Sequence, residues 1–214
     1  MKTHTRHLVL VQTISLLFTA EVNILARDHR PVRAIPELLA TRYCDGDTQV
    51  YSVWLKLRVK FVNRTNKSLI LDKEIGKAWY GEKVARNVDD LAAGRYEFNP
   101  NIDWVFTNKR DLPAAASTDS LGPDFAVLVP GLTFSKEIDV TVFAQYENPN
   151  SFAGSIRPGV HVLQLELSAW NHPGKASAYA NSWRKLGELV TGVIDTEPLE
   201  IRIPAHPKVE RDCR

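Results

Sequence analysis

The chain carries no surplus of charge of either sign. Its 27 Lys and Arg face 25 Asp and Glu across 214 residues, for a formal net charge of +2. That excludes the strongly basic character of a protein that grips nucleic acid through its phosphates. Cysteine is scarce. Cys44 and Cys213 stand alone and far apart, which excludes a CxxC redox centre and a zinc cluster built on cysteine. Long apolar runs are missing too, since the most apolar segment, residues 8–20, falls short of the ~20 residues a membrane helix needs. The six histidines (His4, His7, His29, His161, His172 and His206) include no HxH, HExxH or HxxxH pair, so no histidine metal cluster arises locally. GxSxG, GxGxxG and Walker A sequences are absent, which removes support for a hydrolase elbow or a nucleotide site. What remains is an ordinary globular composition, 44% hydrophobic and 24% charged.

The N-terminus reads as an export signal. Lys2 and Arg6 precede the apolar stretch Leu8–Ala20, a charged region followed by a short hydrophobic one. Cleavage after Ala20 and after Ala26 both fit, and Ala26 is preferred. The alternative is an amphipathic N-terminal helix of a cytosolic protein. Export implies a periplasmic or extracellular protein with no stable membrane span after processing. Two cysteines in an exported chain fit one disulfide, Cys44–Cys213, the alternative being two unpaired thiols.

Strand periodicity dominates the rest. Tyr51, Val53, Leu55, Leu57, Val59 and Phe61 occupy every odd position of 51–61, with Lys56, Arg58 and Lys60 between them. This predicts a long strand with one buried and one wet face. The cluster 63–67 predicts a turn, and Ser68–Leu71 a short return strand. Short strands are expected around 78–80, 83–85, 95–98, 103–107 and 125–129, with Asn99-Pro100-Asn101 as a break and 108–123 as a loop. Residues 134–146, 160–170 and 199–203 alternate clearly. Ala176, Tyr179, Ala180, Trp183 and Leu186 switch to a spacing of three and four, one face of a helix that Trp170 and Trp183 clamp onto a sheet.

About eight strands and one short helical insert before the last strand predict an all-β fold, two packed antiparallel sheets in an immunoglobulin-like sandwich. The expected organisation is a signal peptide (1–26), an N-terminal arm (27–43), the sandwich (44–204) and a tail (205–214). The strand Val53–Phe61 with its Asn63–Lys67 turn, and the Arg157-Pro158-Gly159 turn feeding Val160–Leu167, resemble exported bacterial immunoglobulin-like or fibronectin-III-like domains. That resemblance implies functions such as adhesion, carbohydrate binding or proteinase inhibition, without selecting one.

No catalytic, cofactor or metal-binding set emerges. Asp45-Gly46-Asp47 lacks the rest of a calcium loop and reads as turn chemistry, and His161 as a hydrogen-bonded strand residue. Aromatics say more. Trp54, Trp79, Tyr80 and Trp104 are candidates for stacking on sugar rings or anchoring a partner, if they are not simply core. The Lys56/Arg58/Lys60 stripe is expected to meet Glu137 or Glu166 across strands. The chain therefore reads as an exported, non-enzymatic domain that binds a protein or a glycan at the cell envelope. A carbohydrate-binding module is the first alternative, and a hydrolase with dispersed catalytic residues the second.

Overall fold

Tyr51, Val53, Leu55, Leu57, Val59 and Phe61 are each at most 2% exposed, so the long alternating strand is the spine of the core. In the computed structural model this is β2 (Val50–Asn63), hydrogen-bonded along both edges. The structure describes residues 30–45, 50–102, 121–146, 156–171 and 176–211, and Val32–Arg214 form one compact unit.

One neighbour of β2 is β1 (Val32–Cys44), antiparallel from Val32 opposite Asn63 to Cys44 opposite Ser52. Most of the segment expected as an arm is therefore a thirteen-residue strand of the domain. Its Pro36 masked that, yet β1 is an edge strand, where a missing N–H is tolerated. The short β3 (Leu69–Asp72) does not return onto β2 as the turn suggested, because β7 (Thr133–Gln145) occupies that edge. Instead β3 is central to a separate small sheet, between β6 (Phe125–Leu128) and the parallel β9 (Glu188–Leu189).

A third sheet holds β4 (Trp79–Ala85), β5 (Glu97–Ile102), β8 (Gly159–Ser168), β10 (Val193–Asp195) and β11 (Leu199–Ile203). Here β4 joins what the sequence split into two pieces, and β5 runs straight through Asn99-Pro100-Asn101 because it too is an edge strand. The expected piece at 103–107 and the loop to residue 120 lie outside the described residues. Among the described residues there are eleven strands in three sheets, more than the eight strands and two sheets expected, and the all-β, mainly antiparallel class holds.

Inner rows of the first and third sheets meet in one core, with Ile138, Val140 and Val142 of β7 against Leu163, Leu165 and Leu167 of β8 and Ile201 and Ile203 of β11. A second cluster secures helix α2 (Ala176–Trp183) to the small sheet. Phe125 packs on Trp170 and Trp183, and Tyr179 packs on both tryptophans. The clamp expected of Trp170 and Trp183 is present, with Phe125 as the residue they grip. Gly187 then lets the chain pass close to β3, since a Cβ there would sit 2.7 Å from the carbonyl oxygen of Ser68. Because that neighbour is backbone, Gly187→Ala is expected to destabilise by about 1–3 kcal/mol in urea unfolding. An unchanged midpoint would contradict this close approach.

The wet face of β2 is an ion ladder. Lys56 and Arg58 both reach Glu137, at 3.0 and 3.4 Å, and Lys60 reaches Glu37 at 2.9 Å. Of the two acids expected to meet the stripe, Glu137 does so. These exposed pairs add little stability. Among the described residues no helix is long and apolar enough to cross a membrane.

Candidate functional site

The β4–β5 hairpin presents two chemically opposite faces, and register assigns each residue to one of them. Lys83 opposes Phe98 and Gly81 opposes Pro100 on the outer face, whereas Tyr80 opposes Asn101 and Glu82 opposes Asn99 on the inner face.

On the outer face aromatic surface is exposed. Phe98 is 46% and Tyr96 37% exposed, and Trp79 is half-buried beside them. Gly81 makes the arrangement possible. An ideal Cβ there would lie 2.5 Å from Phe98 Cε2, so the Phe98 ring occupies space that any other residue would fill, while Trp79 Cζ2 at 3.5 Å would be in ordinary contact. An aromatic covering a strand glycine in this way also restores packing that the glycine lacks. Below Tyr96, 5.5 Å from its ring centre, stands the Lys83 ammonium. Lys83 pairs with Glu166 and, at 3.5 Å, with Asp195. Burial disfavours its charge, but the two carboxylates outweigh that and raise its pKa.

Entry into β5 is fixed by the short helix α1 (Val88–Ala92). Asn87 caps it by accepting from the Asp90 N–H at 2.8 Å, and the Asp90 carboxylate holds Arg86 and Arg95. The hydrogen bond from Arg95, immediately before Tyr96, leads the interactions that keep the Asp90 pKa below the usual carboxylate range. Sequence patterning missed α1 because five residues are too few to show a period.

Inward, the hairpin is polar. Tyr80 accepts from the Asn101 amide at 2.9 Å, and Asn99 donates to Glu82 Oε2 at 3.3 Å. Glu82 is 1% exposed and its Oε1 has no hydrogen-bond partner. Burial lifts its pKa to about 7, against smaller opposing help from the Asn99 amide and the Thr141 backbone.

The aromatics singled out by sequence are not gathered in one place. Trp79 belongs to the outer cluster, Tyr80 faces inward, and Trp54 lies half-buried on the wet face of β2, opposite Arg42 and Thr141. Trp104 lies outside the described residues. Tyr96 and Phe98 complete the cluster and were overlooked, although their spacing of two just before a proline in a strand was the available signal. The His161 ring bonds the Arg157 carbonyl at 2.8 Å. A Ser-x-x-Lys spacing occurs at Ser182 and Lys185, but the Ser182 hydroxyl donates to the Ala178 carbonyl at 3.0 Å, one helical turn back. Among the described residues no three His, Cys, Asp or Glu side chains are placed to hold a metal ion. Of Asp45 and Asp47, only Asp45 is described, and its N–H donates to the Glu210 carbonyl.

No known protein-family model matches the chain, and no curated protein matches it. An X-ray structure from the Northeast Structural Genomics Consortium, target SoR45, is similar over 86% of this chain and 93% of its own, at 8% identity and a TM-score of 0.31. A likeness that loose carries no argument about function.

Proposed function

We propose that the chain is an exported, non-enzymatic domain of immunoglobulin-like architecture that binds a protein or surface component of the cell envelope. Its contact surface is the outer face of the β4–β5 hairpin. The observation that supports this most is the exposed Phe98 ring lying over Gly81 with Trp79 beside it, next to the exposed Tyr96 over Lys83. Aromatic side chains on a rigid sheet edge give large contact area at low conformational cost, which is why they dominate binding hot spots. Lys83 adds to the reading, since a cation held by two acids under Tyr96 fixes the floor of the patch. Support for export comes from the Lys2/Arg6 and Leu8–Ala20 pattern, and from the pairing of Glu210 beside Cys44, which brings the C-terminal segment within reach of that cysteine.

Co-sedimentation with envelope fragments of the host tests this. Wild-type protein is expected to pellet with the fragments. The Trp79→Ala/Phe98→Ala double variant is expected to lose about tenfold or more in apparent affinity. Phe143→Ala, which trims an exposed ring on the first sheet, is expected to bind as wild type does. Wild-type protein that stays in the supernatant, or a double variant that pellets equally well, would overturn the reading.

A further inference from the structure

We propose a second site, on the opposite face of the same hairpin: the cavity bounded by Tyr80, Asn101, Lys136 and Asp139 binds a small neutral, hydroxyl-rich molecule, a polyol or a single sugar ring. The cavity measures about 450 Å³ and lies between the inner face of β4–β5, the turn at residues 74–77 and the start of β7. That volume lies within the ordinary range for small-ligand pockets.

Charge pairing argues for a neutral ligand. Lys136 donates to Glu74 at 3.0 Å and to the Lys73 carbonyl at 2.9 Å, and Lys77 lies 3.5 Å from Glu74. On the rim, Glu137 is held by Lys56 and Arg58. Asp139, which has no direct ion pair of its own among the described residues, lies opposite Lys56 and acts on its charge, so the ionic groups of the walls are largely compensated and a charged ligand would gain little while losing its own hydration. Hydrogen-bonding capacity argues for hydroxyls. Tyr80 accepts from Asn101, and a phenol that accepts still has its proton to give, while the amide still has its carbonyl oxygen to offer. Asp139 adds a carboxylate acceptor on the facing strand, near enough to act electrostatically on Tyr80. Donors and acceptors side by side suit groups that are both at once, as vicinal hydroxyls are.

The polar row continues beyond the cavity. Along the inner face, one cross-strand pair inward from Tyr80 and Asn101, comes the pair Glu82 and Asn99. There the buried Glu82 keeps Oε1 without a partner. Buried polar atoms of native proteins are nearly always satisfied, so this oxygen, which does not line the cavity, marks a place for a bound water rather than for the ligand itself.

Saturation-transfer NMR on the purified chain tests the site, with glucose, galactose and mannitol as neutral probes and putrescine and gluconate as charged ones. At least one neutral probe is expected to receive saturation. Tyr80→Phe, which removes one oxygen, and Asn101→Ala are each expected to weaken it about three- to tenfold. The Trp79→Ala/Phe98→Ala variant is expected to retain it, which separates this site from the outer surface. Near-UV circular dichroism checks that each variant is folded, and if Asn101→Ala is not, Tyr80→Phe carries the comparison. Transfer to none of the neutral probes, transfer to putrescine or gluconate instead, or a Tyr80→Phe variant that binds like wild type would overturn the proposal.

Discussion

Replacing Glu82 by Gln is expected to stabilise the protein at pH 8, relative to the effect of the same change at pH 4, by about 3 kcal/mol. The carboxyl is 1% exposed, and burial lifts its pKa from the ordinary 4.5 to about 7. A raised folded-state pKa means that the folded chain holds a proton the unfolded chain releases. Its contribution is therefore fully present below pH 4.5 and is lost as pH rises through about 7. Gln cannot ionise, so it removes this loss while keeping the shape. Any cost of the unpartnered oxygen position is common to both pH values and cancels in the comparison. Urea unfolding of both proteins at pH 4, 6 and 8 measures the difference. A wild-type-to-variant gap that does not change with pH would show that Glu82 is solvated or paired.

The second large effect follows from the proposed Cys44–Cys213 disulfide. Reduction of the protein, or Cys213→Ser, is expected to lower stability by up to about 5 kcal/mol, the chain-entropy value for a loop running from Cys44 to Cys213. Cys44 ends β1 and is 5% exposed. Beside it the Glu210 N–H donates to the Tyr43 carbonyl at 2.8 Å and the Glu210 carbonyl accepts from Asp45 at 2.9 Å, while the Arg42 guanidinium holds the Glu210 carboxylate at 2.6 Å. Chain position 213 is three residues further on, about 10 Å of extended backbone, which a disulfide's Cα separation of roughly 4–7 Å can accommodate. Denaturant titrations with and without reductant provide the test. Identical midpoints for oxidised wild type, reduced wild type and Cys213→Ser would show that no bond is formed.

Legibility from sequence followed the strength of local patterning. Strands with one wet face, β2, β7, β8 and β11, were readable because burial on one side imposes a period of two. Both edge strands that carry prolines misled. Pro36 made β1 resemble an arm, and Pro100 made the sequence end a strand at Phe98 where β5 runs on to Ile102, because a local rule about missing N–H groups does not know which strands end up at an edge. The destination of β3 was not legible either. A turn after β2 announces a reversal, but only the pairing of β7, seventy residues later, shows that the expected edge is taken. At the site, Trp79 was visible as a residue type. Its partnership with Phe98 was not, because it depends on a cross-strand glycine whose significance appears only once the register of β4 and β5 is known. Glu82 was invisible for a related reason: nothing in Gly81-Glu82-Lys83 says that the middle residue faces the core.

The claim that the outer face of the β4–β5 hairpin is the binding surface is tested most directly by hydrogen–deuterium exchange of the chain with and without envelope fragments. New protection is expected in peptides covering residues 79–85 and 96–102, with β1, the Phe143 region of β7 and α2 unchanged. Protection that falls on the β1 edge or on α2 while the hairpin exchanges as in the free protein would contradict it.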